Sequence, residues 1–353
     1  MTENRPLVLV NNETMLDELL RLAAAAGCDL RRVPDAPAAR PLWSDAPLVL
    51  LDPPGAREIQ HERLPRRDRV VIVSPDAQGV DALQAAVDVG ADRVVELPTA
   101  EAWLADAIAD AAEGAGGPPG RVLAVVGGRG GAGASVFAAA VARAATRSGH
   151  RAMLVDCDPL AGGLDLVLGA ESQDGLRWPQ MNVKGRVAFS SLRDALPGSE
   201  GLKVVSGARK GFAPEPDAVT AVIEAGRRGG DIVVCDLPRD LSATAGAALD
   251  LADLTIMVVP AELRACASAS LVAERLKDRG VVARVLVRGP APGGLTADDV
   301  AEAVGLPLLS WMPHQRGLAA ALERGEFSGR RGPLISAARR ALETLGVDHR
   351  VAS

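Results

Sequence analysis

The sequence predicts an α/β fold in two unequal domains, each a parallel sheet covered by helices. Three observations carry this. Short Val/Ile/Leu runs alternate with helical patterns along the chain, the rhythm of strand–helix–strand crossovers. In the second domain these runs are almost unbroken by polar residues, as in strands buried on both faces. A Gly/Pro segment at 111–120, AAEGAGGPPG, interrupts every apolar period and separates residues 1–110 from 121–353.

In the first domain, strands are expected at Leu7–Val10, Leu48–Leu51, Val70–Val73 and Val94–Leu97. Helices are expected at Thr14–Ala26, with Leu16, Leu19, Leu20 and Ala23 on one face, at Ala82–Val89, ended by Gly90, and at Ala100–Ala111. In the second domain the strands are Val122–Val126, Ala152–Val155, Lys203–Ser206, Ile232–Cys235, Leu254–Val259, Ala283–Val287 and Leu308–Leu309. The helices are Ser135–Ser148, Asp217–Arg228, Ala243–Leu249, Ala267–Arg279, Ala297–Val304, Gly317–Arg324 and Pro333–Leu345.

Composition narrows the function. Aromatic residues are 2% of the chain and Tyr is absent, which argues against a stacking platform for single-stranded nucleic acid. A formal net charge of −6 argues against non-specific DNA binding, which needs a basic surface. The arginine clusters Arg63, Arg66, Arg67, Arg69 and Arg330, Arg331, Arg339, Arg340 read as solvated charged faces. Cys28, Cys157, Cys235 and Cys266 are scattered without ligand spacing, as in a reducing compartment. The opening MTENRPLVLV lacks the pattern of a signal peptide, and no apolar run reaches the ~20 residues of a membrane span. A cytoplasmic location is expected, with membrane contact peripheral at most.

The chemistry concentrates after the strand Val122–Val126. Gly127-Gly128-Arg129-Gly130-Gly131-Ala132-Gly133-Ala134-Ser135 leads into a helix of small apolar residues. Strand, glycine loop and helix are the context of a P-loop, in which successive backbone N–H groups and the helix dipole grip phosphate. The Ser135 hydroxyl is placed to ligate Mg²⁺. Two later strands end in Asp156-Cys157-Asp158-Pro159 and Asp236-Leu237-Pro238, putting carboxylates on the edge where open α/β sheets bind ligands.

From Arg121 to about Leu345 the chain resembles the MinD/ParA ATPases, whose deviant phosphate loop reads GKGGxGK[ST]. Gly128, Gly130, Gly131, Gly133 and Ser135 match that pattern, with Ala132 at the variable position. Arg129 replaces the signature lysine, which in the family reaches across a dimer, and Ala134 replaces the P-loop lysine itself. The resemblance implies ATP and Mg²⁺ as ligands, Asp158 orienting the attacking water, Asp236 supporting Mg²⁺ and Asp156 behind them. It also implies a homodimer with nucleotide at a two-fold interface. The family's Pro–Asp segment near adenine is here Met312-Pro313-His314-Gln315, without the acid. Loss of one charged hydrogen bond at position 134 is worth about 1.5–3 kcal/mol, or roughly 10- to 150-fold in affinity. Weak binding and slow or absent hydrolysis are expected.

Residues 1–110 resemble a response-regulator receiver domain. Asp52 falls at the phosphoacceptor position and Ser74 at the Ser/Thr switch, but Asn11-Asn12 replace the acidic pair and Leu97-Pro98 stands where the lysine belongs. Too few anionic ligands remain for a metal. A pseudo-receiver is expected, with Asp52 as a capping residue. The combination resembles the CpaE/TadZ proteins and their actinobacterial septum-site-determining relatives, to which GGRGGAGAS and the segment Gly175–Pro197 also point. That resemblance implies an ATP-binding spatial organiser, recruited to a pole or septum and working with protein partners of a division or pilus/secretion machinery. Two alternatives stand beside it: a nucleotide-independent scaffold, and an active ATPase cycling on DNA or membrane. The face Leu334, Ala338, Ala341, Leu342, Leu345 of the last helix reads as core packing rather than a membrane anchor.

Overall fold

The structure, a computed structural model, describes residues 5–112, 119–181, 183, 185–199, 201–207, 212–325, 327 and 331–347. Met1–Asn4 of the expected N-terminal segment, 113–118 of the expected linker, Asn182, Lys184, Arg330 and the tail from Asp348 lie outside the described residues. The chain divides into two compact units, Met1–Pro118 and Pro119–Ser353.

The first unit runs β1 (Leu7–Leu9), α1 (Glu13–Ala25), β2 (Arg31–Arg32), α2 (Ala36–Ala39), β3 (Val49–Leu51), α3 (Pro53–His61), β4 (Val70–Ser74), α4 (Val80–Val89), β5 (Arg93–Glu96) and α5 (Glu101–Ala112). Its parallel sheet has the order β2-β1-β3-β4-β5, a doubly wound arrangement. Alternation along β1 splits the core. Leu7 and Leu9 face α3 and α4, while Val8 and Val10 face α1 and α5. The helix α3 is not among the expected elements; it opens on Pro53-Pro54-Gly55, a composition common in turns. Proline is compatible with a first helical turn, and Asp52 caps this helix by accepting from the Gly55 N–H at 2.8 Å. The arginine cluster is not a free basic patch, since Arg67 is half-buried and donates to the Trp43 and Ala46 carbonyls.

The second unit runs β6 (Val122–Gly127), α6 (Ala134–Arg147), β7 (Ala152–Asp156), α7 (Leu164–Leu168), α8 (Phe189–Ala195), β8 (Leu202–Val205), α9 (Pro216–Arg228), β9 (Ile232–Leu237), α10 (Ala243–Leu251), β10 (Leu254–Pro260), α11 (Leu263–Asp278), β11 (Ala283–Arg288), α12 (Ala297–Val304), β12 (Leu308–Met312), α13 (Leu318–Glu323) and α14 (Pro333–Thr344). Among the described residues the sheet is seven-stranded and parallel, ordered β12-β11-β10-β6-β9-β7-β8. Leu123 and Val125 pack on α6 and α14; Val122, Ala124 and Val126 pack on the opposite face with α9, α11 and α12. Leu334, Ala338, Ala341, Leu342 and Leu345 of the last helix and its C-cap are buried in the first of these cores. The short α7 and α8 escape the periodicity because neither spans two full turns. Cys157 and Cys235 are buried neighbours, and their mutual hydrogen bond, with burial, pushes the Cys157 thiol well up. Among the described residues no helix is long and apolar enough to cross a membrane.

Asp52 also accepts from the Asn11 and Asn12 N–H groups, at 2.7 and 3.1 Å, so the buried carboxylate ties β1 to α3 through three amides. Asp52→Ala is expected to destabilise the domain by roughly 2–3 kcal/mol, since it strands buried donors. Hydrogen exchange on the full chain will report this as lost protection at the Asn11, Asn12 and Gly55 amides.

Candidate nucleotide-binding site

The turn after β6 begins flush against β10: Gly127 pairs with Val258, and Gly128 donates to the Val258 carbonyl at 2.9 Å. Gly128 has no room for a side chain, since a Cβ there would lie 2.7 Å from the Ala269 Cβ and 2.8 Å from Val259 Cγ2. Gly131 and Gly133 adopt φ of +71° and +94°, which a side chain would resist. A Cβ on Gly130 or Gly131 would meet nothing within 4 Å, so the mouth of the turn is open. Among the described residues the N–H groups of Gly130, Gly131 and Gly133 donate to no backbone carbonyl. Ala134 and Ser135 open the 14-residue α6, where N–H groups have no intrahelical acceptor. These amides and the helix dipole form a cradle for an anion.

The carboxylates stand beside it because of strand register. Val125 pairs with Asp236, and Asp236 with Asp156. Asp236 is 2% exposed and one of its oxygens has no hydrogen-bond partner. Burial, with the charges of Asp156 and Asp158, pushes it up to about 8, while the nearby Ser135 hydroxyl pulls the other way. Asp156 is pushed up to about 6 by burial, opposed by amide bonds from Gly207, Asp158 and Leu164 at 3.2, 3.2 and 3.3 Å. Both its oxygens are thereby engaged, so Asp156 shapes the 157–164 segment. Asp158 is half-buried and accepts from the Leu160 N–H at 2.9 Å.

An orphaned buried carboxylate oxygen beside a serine hydroxyl at a helix start fits Mg²⁺, a hard cation that keeps most of its ligands from phosphate and water. Ser135 and Asp236 would hold it, and it would neutralise phosphate charge. Among the described residues no three His, Cys, Asp or Glu side chains converge on a metal position.

Five further contributors escaped the sequence reading. Trp178 is buried and its indole N–H donates to the Asp156 carbonyl at 2.6 Å, bracing the strand end. Arg177 and Ser206 both bond the buried Asp165, at 3.0 Å each, behind the same segment. Glu262 holds Arg129, whose Nη2 donates to its two oxygens at 2.9 and 3.0 Å; Arg129 is thus engaged within its own chain. Arg288, ending β11, places its Nη1 2.9 Å from where a Cβ on Gly133 would stand. A charged residue ending an apolar strand was the available signal for Arg288, the same one that marks Asp156 and Asp236. Beside the turn lies a cavity of 220 Å³ lined by Gly133, Arg288, Met312, Pro313, His314 and Gln315, among mostly apolar neighbours.

Strand, open glycine turn and helix at the carboxyl edge of this sheet make the second unit a P-loop domain. Comparison with known proteins agrees: residues 123–328 match the CobQ/CobB/MinD/ParA nucleotide binding domain, and residues 9–121 match an Rv3660c-like, CheY-like N-terminal domain. The chain belongs to the CobQ/CobB/MinD/ParA family, with that CheY-like domain in front. It is 45% identical to the uncharacterized protein Rv3660c of Mycobacterium tuberculosis, over 96% of this chain and 97% of the other. Among solved structures, the ParA family ATPase of Chlorobium tepidum superposes with a TM-score of 0.56 at 18% identity, covering 64% of this chain and 98% of that one. The septum site-determining protein MinD of Pyrococcus horikoshii, complexed with Mg-ADP, superposes with a TM-score of 0.50 at 20% identity, covering 64% and 95%.

The folded Asp236 keeps its proton to about pH 8, whereas the unfolded group releases it near 3.8. Stability from that proton is full below pH 3.8 and is lost as pH rises through 8. Asp236→Asn, which has no proton to lose, should give a melting temperature that falls less between about pH 5 and about pH 8.5 than that of the wild type. Differential scanning fluorimetry without nucleotide will measure the difference.

Proposed function

We propose that this protein is a nucleotide-responsive spatial organiser of the CpaE/TadZ kind. It binds ATP with Mg²⁺ at the turn Gly128–Ser135, hydrolyses it slowly or not at all, and dimerises in the bound state. Its role lies in septum-site determination or in placing a pilus or secretion apparatus, through protein partners at a pole or septum. The observation that carries this is the open glycine turn, whose Gly130, Gly131 and Gly133 amides donate to no backbone carbonyl among the described residues, beside the orphaned Asp236 oxygen and Ser135. A chain that had kept only the architecture would have no reason to keep that mouth clear.

Slow turnover follows from Ala134. Charge develops on the phosphoryl oxygens during transfer, so a missing ammonium weakens catalysis more than binding. Asp158, at the mouth of the same edge, is the residue proposed to orient water. The match of residues 123–328 to the CobQ/CobB/MinD/ParA nucleotide binding domain supports the class of protein.

Titration calorimetry of the full chain with ATP and ADP in Mg²⁺ is expected to give binding in the micromolar to millimolar range, about 10- to 150-fold weaker than a P-loop with its lysine. Phosphate release should be barely above background. Absence of binding heat at millimolar nucleotide would select the scaffold reading, and brisk release abolished by Asp158→Ala would select an active ATPase.

A further inference from the structure

We propose that Arg288 is the phosphate-binding cation of this site, reaching the turn from β11 in place of the ammonium group absent at position 134. This rests on the nucleotide reading and assigns it a residue that the loop motif does not contain. The two arginines near the turn differ in how free they are. Arg129 is held by both oxygens of Glu262, and its Nε is buried without a partner. The Arg288 guanidinium has no hydrogen bond or ion pair among the described residues, although its backbone is held in the sheet. Of the charges that act on Arg288, Arg129 opposes it and Glu262 favours it, and Glu262 is already bonded to Arg129.

Position makes Arg288 the better donor. Its Nη1 stands over Gly133, which caps the N-terminus of α6 and directly precedes Ala134. An anion seated on the first-turn amides lies within reach of that fork. Half-burial withdraws water from the guanidinium, and the neighbouring Arg129 charge adds to the penalty; both lower its pKa. A bound di- or triphosphate would relieve both, through the paired N–H groups that suit phosphate oxygens. Arg288 also forms one wall of the 220 Å³ cavity, whose remaining lining is largely apolar, with Val136, Leu318 and Leu322 beside Met312. Phosphates at the turn and a planar base in the cavity would meet at this side chain.

The test is calorimetry on the full chain with ADP and AMP in Mg²⁺, using Arg288→Ala and the near-isosteric Arg288→Gln, each checked for native circular dichroism. Both variants should bind ADP about 10- to 150-fold more weakly while AMP affinity stays within about threefold. Adding Ala134→Lys to Arg288→Ala should restore ADP binding, because the charge returns from the loop. ADP affinity unchanged in either folded variant overturns the assignment and leaves the nucleotide reading standing. Equal losses for ADP and AMP overturn it too, since they mark Arg288 as a packing residue. Wild-type protein that binds neither ligand removes the nucleotide reading, and this assignment with it.

Discussion

The site depends on the central place of β6, hydrogen-bonded to β9 on one side and β10 on the other. Parallel register sets the ends of these strands at one height. The glycine turn, Asp236 and, one strand further, Asp156 then emerge side by side. On the other flank the same register sets Arg288 opposite Pro260, the last residue of β10. Two separate cores pack against the faces of the sheet and hold it, one built on α6 and α14, the other on α9 to α12. A slip of one residue would turn every side chain on a strand to the opposite face, so the core that secures the fold also secures the position of the acids.

Much of this was legible in the residues. An apolar run that stops at an acid is a readable sign of a strand reaching the ligand edge, and a run that stops at glycines before an alanine-rich stretch is a readable turn and helix. Less legible were elements whose start looks like a turn, as with Pro53-Pro54-Gly55 in α3, and those too short to display a period, as with α7 and α8. The helix α11 starts at Leu263, four residues before the expected Ala267; its first turn points Leu263 and Arg264 to solvent and buries only the small Ala265 and Cys266. Partners were not legible at all. That Arg129 would be engaged by Glu262, 133 residues away, or that Arg288 would stand over Gly133, follows from crossovers that bring remote strand ends together.

The first unit carries the opposite lesson about a retained acid. In a receiver, the aspartate at this position is free to accept a phosphoryl group beside bound metal. Here Asp52 is 1% exposed and spends both oxygens on backbone amides of Asn11, Asn12 and Gly55. Two of the three amides belong to Asn11 and Asn12, whose neutral side chains add no negative charge beside the carboxylate. A pocket of 650 Å³ remains over it, lined by Asn11, Asn12, Arg57, Ser74 and Asp76, where Ser74 bonds Asp76 backbone groups at 2.9 and 3.2 Å. The fold has kept its outline while its polar residues have turned to holding the loops in place.

The bond from Trp178 to the Asp156 carbonyl gives the second unit an optical handle. The chain has four tryptophans and no tyrosine, so its ultraviolet emission comes from indoles alone. Trp178 is the one fastened to the strand end that carries Asp156 and leads to Asp158. A shift in that edge as the site fills would change the environment of a buried indole whose N–H is already committed. The protein thus carries, without any label, a chromophore fastened to the edge of its candidate site.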